Sequence, residues 1–290
     1  ALALLKGVAL ASMDPTGTEF VHTVTEAIKL AFADRDAFYG DPDFVDVPLE
    51  QLLSDAYNDE RRKLIGNDAS MELRHGRIDG FGCDVDYQAA INRSAGIGVP
   101  QGGKGAAGAG EPTVGALGQV KGDTCHIDVV DKEGNMVACM PSGGWLQSSP
   151  TIPALGFQLN SRAQMFWLDE GQPMSLEPGK RPRTTLSPTM ALRDGKPAVA
   201  FGTPGGDQQD QWQSIFFLRH AVYGRNLQEA IPSISSALSI HAARNRDAWL
   251  SKAARRKKRW TGCASAATRS RLASCGPKAG CALSVKMVRF

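Results

Sequence analysis

The sequence predicts an α+β fold, a layered domain with an antiparallel sheet, and three observations carry that expectation. Two strand–turn–strand patterns occur, at 124–140 and 188–201. An amphipathic helix follows the second, over about 208–223. No βαβ alternation connects them. With 290 residues, 42% hydrophobic and 22% charged, the chain can bury a full core as one large or two modest domains.

Taken in order, the apolar opening ALALLKGVALA has Lys6 in its middle and no initiator Met. It reads as a buried helix or strand of a domain truncated at its start, not as a signal peptide. Residues 14–40 read as one helix: Asp14-Pro15-Thr16 offers a cap and an early proline, Phe20, Val24, Ala27, Ile28, Ala31 and Phe32 recur at helical spacing, and Gly40 ends it. A second amphipathic helix is expected from Leu49 to Ile65. From Gly96 to Gly122 ten of 27 residues are glycine, so this stretch reads as a linker. The first hairpin pairs Thr124–Asp131, with Cys125, Ile127 and Val129 on one face, against Met136–Met140 across Lys132-Glu133-Gly134-Asn135. The second turns at Asp194-Gly195 and leads into Gly202-Thr-Pro-Gly-Gly206 and the helix.

Charge divides the chain. Residues 231–290 hold 13 Lys/Arg and one acid, Asp247, and the acidic remainder brings the net charge back to +3. Whole-chain basicity therefore gives no case for nucleic acid, and the tail carries few aromatics to stack on bases. The tail is expected to be a solvated, disordered extension or a segment translated out of frame. Six cysteines without a C-x-x-C pair and five scattered histidines give no metal-binding pattern, and no cofactor is expected. No apolar run is long enough to span a membrane. The expected division is 1–95, a linker at 96–123, a second region at 124–231 and the tail at 232–290.

Three segments could carry chemistry. A threonine opening a strand directly behind a glycine-rich run, at Asp123-Thr124, would gain a base if the preceding bond were cut, because its own α-amine titrates near neutrality. Gly205 and Gly206, between a strand and a helix, present unhindered backbone N–H groups to an oxyanion. Lys180-Arg-Pro-Arg-Thr-Thr-Leu-Ser-Pro188 is a basic loop whose paired hydroxyls, Thr184 and Thr185, could grip a carboxylate. Each segment alone is equally an ordinary strand start, turn or surface loop.

Together they resemble the γ-glutamyltransferases (γ-glutamyltranspeptidases, glutathione hydrolases) of the N-terminal-nucleophile class. The matching blocks are Ala33-Asp-Arg-Asp, Gly40-Asp-Pro-Asp-Phe44, Val47-Pro, Thr124-Cys-His-Ile-Asp-Val-Val-Asp131, Gly134-Asn135, Leu159-Asn160, Lys180-Arg-Pro182, Ser187-Pro-Thr189 and Gly202-Thr-Pro-Gly-Gly206. The resemblance implies a four-layer αββα sandwich. It implies a processing bond at Asp123-Thr124, Thr124 as nucleophile, Ser142 as the hydroxyl assisting it, Gly205 and Gly206 as the oxyanion hole, and Thr184 and Thr185 at the substrate carboxylate. It further implies large and small chains that stay associated after cleavage, a small-molecule amide substrate, and no metal.

The sequence departs from the family at three places. Gly144 replaces an asparagine. Arg162-Ala-Gln-Met165 replaces a Q-x-D-D run whose last aspartate binds the substrate's α-ammonium, so Met165 offers no anion there. The family's large chain also begins upstream of this sequence and supplies an arginine for the α-carboxylate, and the small chain is expected to continue as sheet and helix past 231. The expectation is a divergent amide hydrolase or acyltransferase presented as an incomplete gene product. A glutaryl-type (β-lactam side-chain) acylase and an inactive fragment are the alternatives.

Overall fold

A computed structural model describes residues 1–70, 72–85, 124–142, 151–160, 162–204 and 207–231. Asp123, Gly144, Gly205, Gly206, the glycine-rich linker and the basic tail lie outside the described residues.

Helix α1 (Leu2–Leu5) buries Leu4 and Leu5 against the long helix α2 (Thr18–Phe38), whose Phe20, Val24, Ala27, Ile28 and Leu30 form the main core. The helix starts later than the sequence suggests. Asp14 Oδ1 accepts from the Thr16 N–H (2.9 Å) and hydroxyl (2.8 Å), so it closes a local turn, and Gly17 becomes the N-cap. Gly40 does not supply a left-handed cap. A Cβ there would stand 2.5 Å from the Pro173 carbonyl oxygen and 2.7 Å from Val45, so the glycine lets two loops close on each other.

The expected 49–65 helix is two pieces, α3 (Leu49–Leu53) and α4 (Asp55–Arg62). Ser54 is extended between them, and its hydroxyl accepts from the Tyr57 N–H to cap α4. Arg61 on α4 reaches buried Asp34 on α2 through Nη2 (2.9 Å) and Nε (3.3 Å), and the Gly76 N–H also donates to that carboxylate.

Strands β1 (Ile127–Val130) and β2 (Met136–Cys139) form the first hairpin, the short pair β3 (Thr151–Ile152) and β4 (Phe157–Gln158) the second, and β5 (Thr189–Arg193) and β6 (Lys196–Phe201) the third. All are antiparallel. Asp194 (φ 54°) and Gly195 (φ 75°) make the tight left-handed turn their sequence suggests. Helix α5 (Gln208–Ala221) and the single turn α6 (Leu227–Ala230) pack on β6, where Val199 and Phe201 meet Phe216 and Ala230.

On the first hairpin the buried face is not the apolar one. Ile127 and Val137 are exposed, whereas Asp128 and the His126 side chain are buried. The polar pair turns inward because His126 Nε2 and Asp128 Oδ1 satisfy each other at 2.7 Å, tucked against Gly202 at the end of β6.

Candidate active site

The register of the first hairpin builds the site. Ile127 pairs with Cys139, and the Cys125 N–H donates to the Pro141 carbonyl (3.2 Å), so pairing continues past the strand ends and sets Thr124 opposite Ser142. The Thr124 hydroxyl donates to Ser142 Oγ at 2.8 Å.

Arg162 completes a line of contacts. It opens a short 3-10 turn, Arg162–Met165, whose first N–H is capped by Asn160 Oδ1 (2.9 Å). The side chain is buried, with Nη2 donating to Ser142 Oγ (3.0 Å) and Nη1 to Thr185 Oγ1 (3.3 Å). Three segments far apart in sequence thus converge through Thr124, Ser142, Arg162 and Thr185. Thr184 does not join the line: it is exposed, and its hydroxyl accepts from the Leu186 N–H (3.1 Å) within its own turn. Met165 is buried on the same turn as Arg162.

Two buried aspartates, Asp207 and Asp41, are each clamped by arginine. Asp207, next after Gly206, takes two bonds from Arg183 (2.9 and 3.2 Å) and one from Arg35 on α2 (3.1 Å). Burial lowers the Arg183 pKa, and the neighbouring Arg35 charge lowers it further. A second clamp joins Asp41 to Arg181, whose backbone N–H donates at 2.7 Å and whose Nε donates to both carboxylate oxygens at 3.0 Å. The Arg181 side chain holds the Asp41 carboxyl well below the usual carboxylate range. Among the described residues no cluster of His, Cys, Asp and Glu could hold a metal ion, and no helix is long and apolar enough to cross a membrane.

Sequence reasoning named Thr124, Ser142 and Thr185, and the structure brings these together. It passed over Arg162, because the aligned run was noticed for the aspartate it had lost. The available signal was a long cationic side chain directly after Leu159-Asn160-Ser161, with the asparagine placed to cap its turn.

The chain belongs to the γ-glutamyltranspeptidase family, whose model matches residues 1–244. It is 32% identical over 214 residues to the glutathione hydrolase-like YwrD proenzyme of Bacillus subtilis (strain 168), covering 73% of this chain and 33% of that one. Among solved structures, LmbA2991HD is similar with a TM-score of 0.59 and 46% identity, over 79% of this chain and 37% of that one. The cephalosporin acylase from Bacillus halodurans is similar with a TM-score of 0.56 and 27% identity, over 79% and 34%. The chain thus spans about a third of the length of these relatives.

Proposed function

We propose that this chain carries the nucleophile half of an amide hydrolase/acyltransferase that becomes active when the Asp123-Thr124 bond is cut. The observation that carries the proposal is the 2.8 Å bond from the Thr124 hydroxyl to Ser142, which aims the hydroxyl proton and leaves the oxygen lone pairs for attack. In the uncut chain, Thr124 Oγ would add to the Asp123 carbonyl, the peptide nitrogen would leave with a proton, and water would hydrolyse the resulting ester. The freed α-amine would then take the hydroxyl proton as Oγ attacks an amide substrate and pass it to the departing amine. The acyl group would end as an ester on Thr124 before transfer to water or to another amine.

Gly205 and Gly206 would hold the oxyanion, and Thr185, with Thr184, would meet the carboxylate of the acyl donor. The full enzyme would form the four-layer αββα sandwich, with regions 1–95 and 124–231 as the two associated chains. Their cohesion after cleavage is supported by contacts across the cut: Arg35 to Asp207, Asp41 to Arg181, and Leu218 and Tyr223 packed into the α2 core.

The acyl donor is glutathione or a related γ-glutamyl or acyl amide. Met165 is buried, and because the family resemblance expects an ammonium-binding aspartate at that position, its uncharged side chain favours acyl amides without an α-amino group. The test is release of aniline from γ-glutamyl and glutaryl anilides by the protein expressed from its complete gene. Thr124→Ala is expected to abolish release and Thr124→Ser to retain part of it. Turnover unaffected by Thr124→Ala would overturn the proposal.

A further inference from the structure

The loop that leads to Thr184 and Thr185 is held by a turn of the first region. Helix α2 ends at Phe38, and the chain after it folds on Asp41. The Asp43 N–H donates to Asp41 Oδ1 (3.2 Å), and the Phe44 and Val45 N–H groups donate to the Asp41 carbonyl (2.9 and 2.8 Å). The carboxylate this turn presents is 1% exposed, so its partners must come from the protein. Arg181 supplies them: its backbone N–H donates at 2.7 Å, its Nε and Nη2 also donate, and Nη2 reaches Asp43 as well (2.7 Å). The buried ammonium of Lys180 lies over the same turn, 5.6 Å from the centre of the Phe44 ring. Because the Arg181 amide is bonded together with its side chain, the clamp fixes the path of the main chain. Pro182 has a locked φ, and Arg183 is held in turn by Asp207. The chain therefore leaves the clamp in a set direction. The residues that follow are Thr184 and Thr185, the second of them bonded to Arg162 beside Ser142.

We infer that Asp41 is a positioning residue for the acyl-donor site: acting through Arg181 it sets the 183–185 loop, so the first region contributes to donor binding after the Asp123-Thr124 bond is cut. This rests on the proposed function, which puts that loop at the donor, and deepens it. With the clamp in place the loop is ordered before the donor arrives. Without it, binding must also order the loop, and the apparent affinity falls in proportion to the fraction of molecules whose loop is in position. Asp41 lies outside the line from Thr124 to Thr185, so its effect belongs in KM and not in kcat.

The test uses the protein expressed from its complete gene. Asp41→Asn keeps the side-chain shape but sets an amide N–H against the donors of Arg181. It should raise the KM for the γ-glutamyl and glutaryl anilides about 10-fold, the effect of one charge-assisted contact, with kcat within about twofold. Asp34→Asn is the control for lost stability, since it breaks the buried pair with Arg61 inside the first region. It should lower Tm and leave KM within about twofold. Hydrogen exchange over residues 182–187 is compared with and without Asp41→Asn in the Thr124→Ala background, where neither cleavage nor turnover enters. Asp41→Asn should speed it about 10-fold, and this readout stands whether or not Thr124 is the nucleophile. If melts show Asp41→Asn unfolded, Arg181→Lys, which keeps the charge and loses the fork, replaces it, with smaller changes in the same direction. Unchanged exchange over 182–187, an unchanged KM, a loss confined to kcat, or a KM rise shared by Asp34→Asn would overturn the inference.

Discussion

Replacing Gly202 with alanine tests how the nucleophile strand is seated. Gly202 follows β6 and faces the buried side of the first hairpin. A Cβ there would stand 2.5 Å from Met140 Cε and closer still to Cε1 and Nδ1 of the His126 ring. Ordinary carbon contacts are roughly 3.5–4 Å, so the intrusion is about 1 Å. The Met140 methyl is a flexible end and can swing away. The imidazole cannot do so easily, because its side chain is fully buried and tied to Asp128 at 2.7 Å. Overpacking of this kind costs about 1–3 kcal/mol, or a fall in Tm of roughly 2–12 °C for a domain of this size. His126 is two residues from Thr124, so turnover should fall with stability. Gly66→Ala is the matched control, since nothing lies within 4 Å of its added Cβ. Thermal melts and anilide hydrolysis on the two variants decide it. Gly202→Ala melting with the wild type, as Gly66→Ala should, would refute the reasoning.

Three further outcomes are expected. Asp207→Ala leaves Arg35 and Arg183 facing each other without their shared carboxylate, and should cost about 3–5 kcal/mol, read as a lower Tm. Asp41 titrates below its unfolded value, so its bond to Arg181 stabilises the fold above about pH 4 and is lost as pH falls further; acid titration of Asp41→Asn should show a shallower loss of stability than the wild type. Asp128 has the opposite sign: burial raises its pKa against the pull of His126, so the folded state holds a proton that the unfolded chain releases above about pH 4, and stability falls as pH rises through that window. Asp128→Asn should remove that decline, and an unchanged pH profile would count against it.

Much of this architecture was legible because it is written locally. Asp194-Gly195 announces a tight turn, Lys132-Glu133-Gly134-Asn135 another, and the register that follows from the first hairpin is what sets Thr124 against Ser142. The helix from Gln208 was visible in its apolar spacing. What was not legible depends on partners distant in sequence. Asp14 and Ser54 each have a choice of backbone N–H to bond, and the choice moves one helix start and splits another helix. The inward turn of His126 and Asp128 needs Gly202, more than seventy residues on, to leave room for the imidazole. Arg162 has meaning only once Ser142 and Thr185 stand on either side of it. Thr184 and Thr185 are indistinguishable as a pair in sequence, and only the path of their loop buries one and exposes the other.

The central claim is that Thr124 becomes an amino terminus. Intact-mass measurement and N-terminal sequencing of the protein expressed from its complete gene test it most directly. The account predicts two fragments, one beginning at Thr124, and a single uncut chain for Thr124→Ala. A wild-type protein that hydrolyses amides while remaining uncut at Asp123-Thr124 would contradict it.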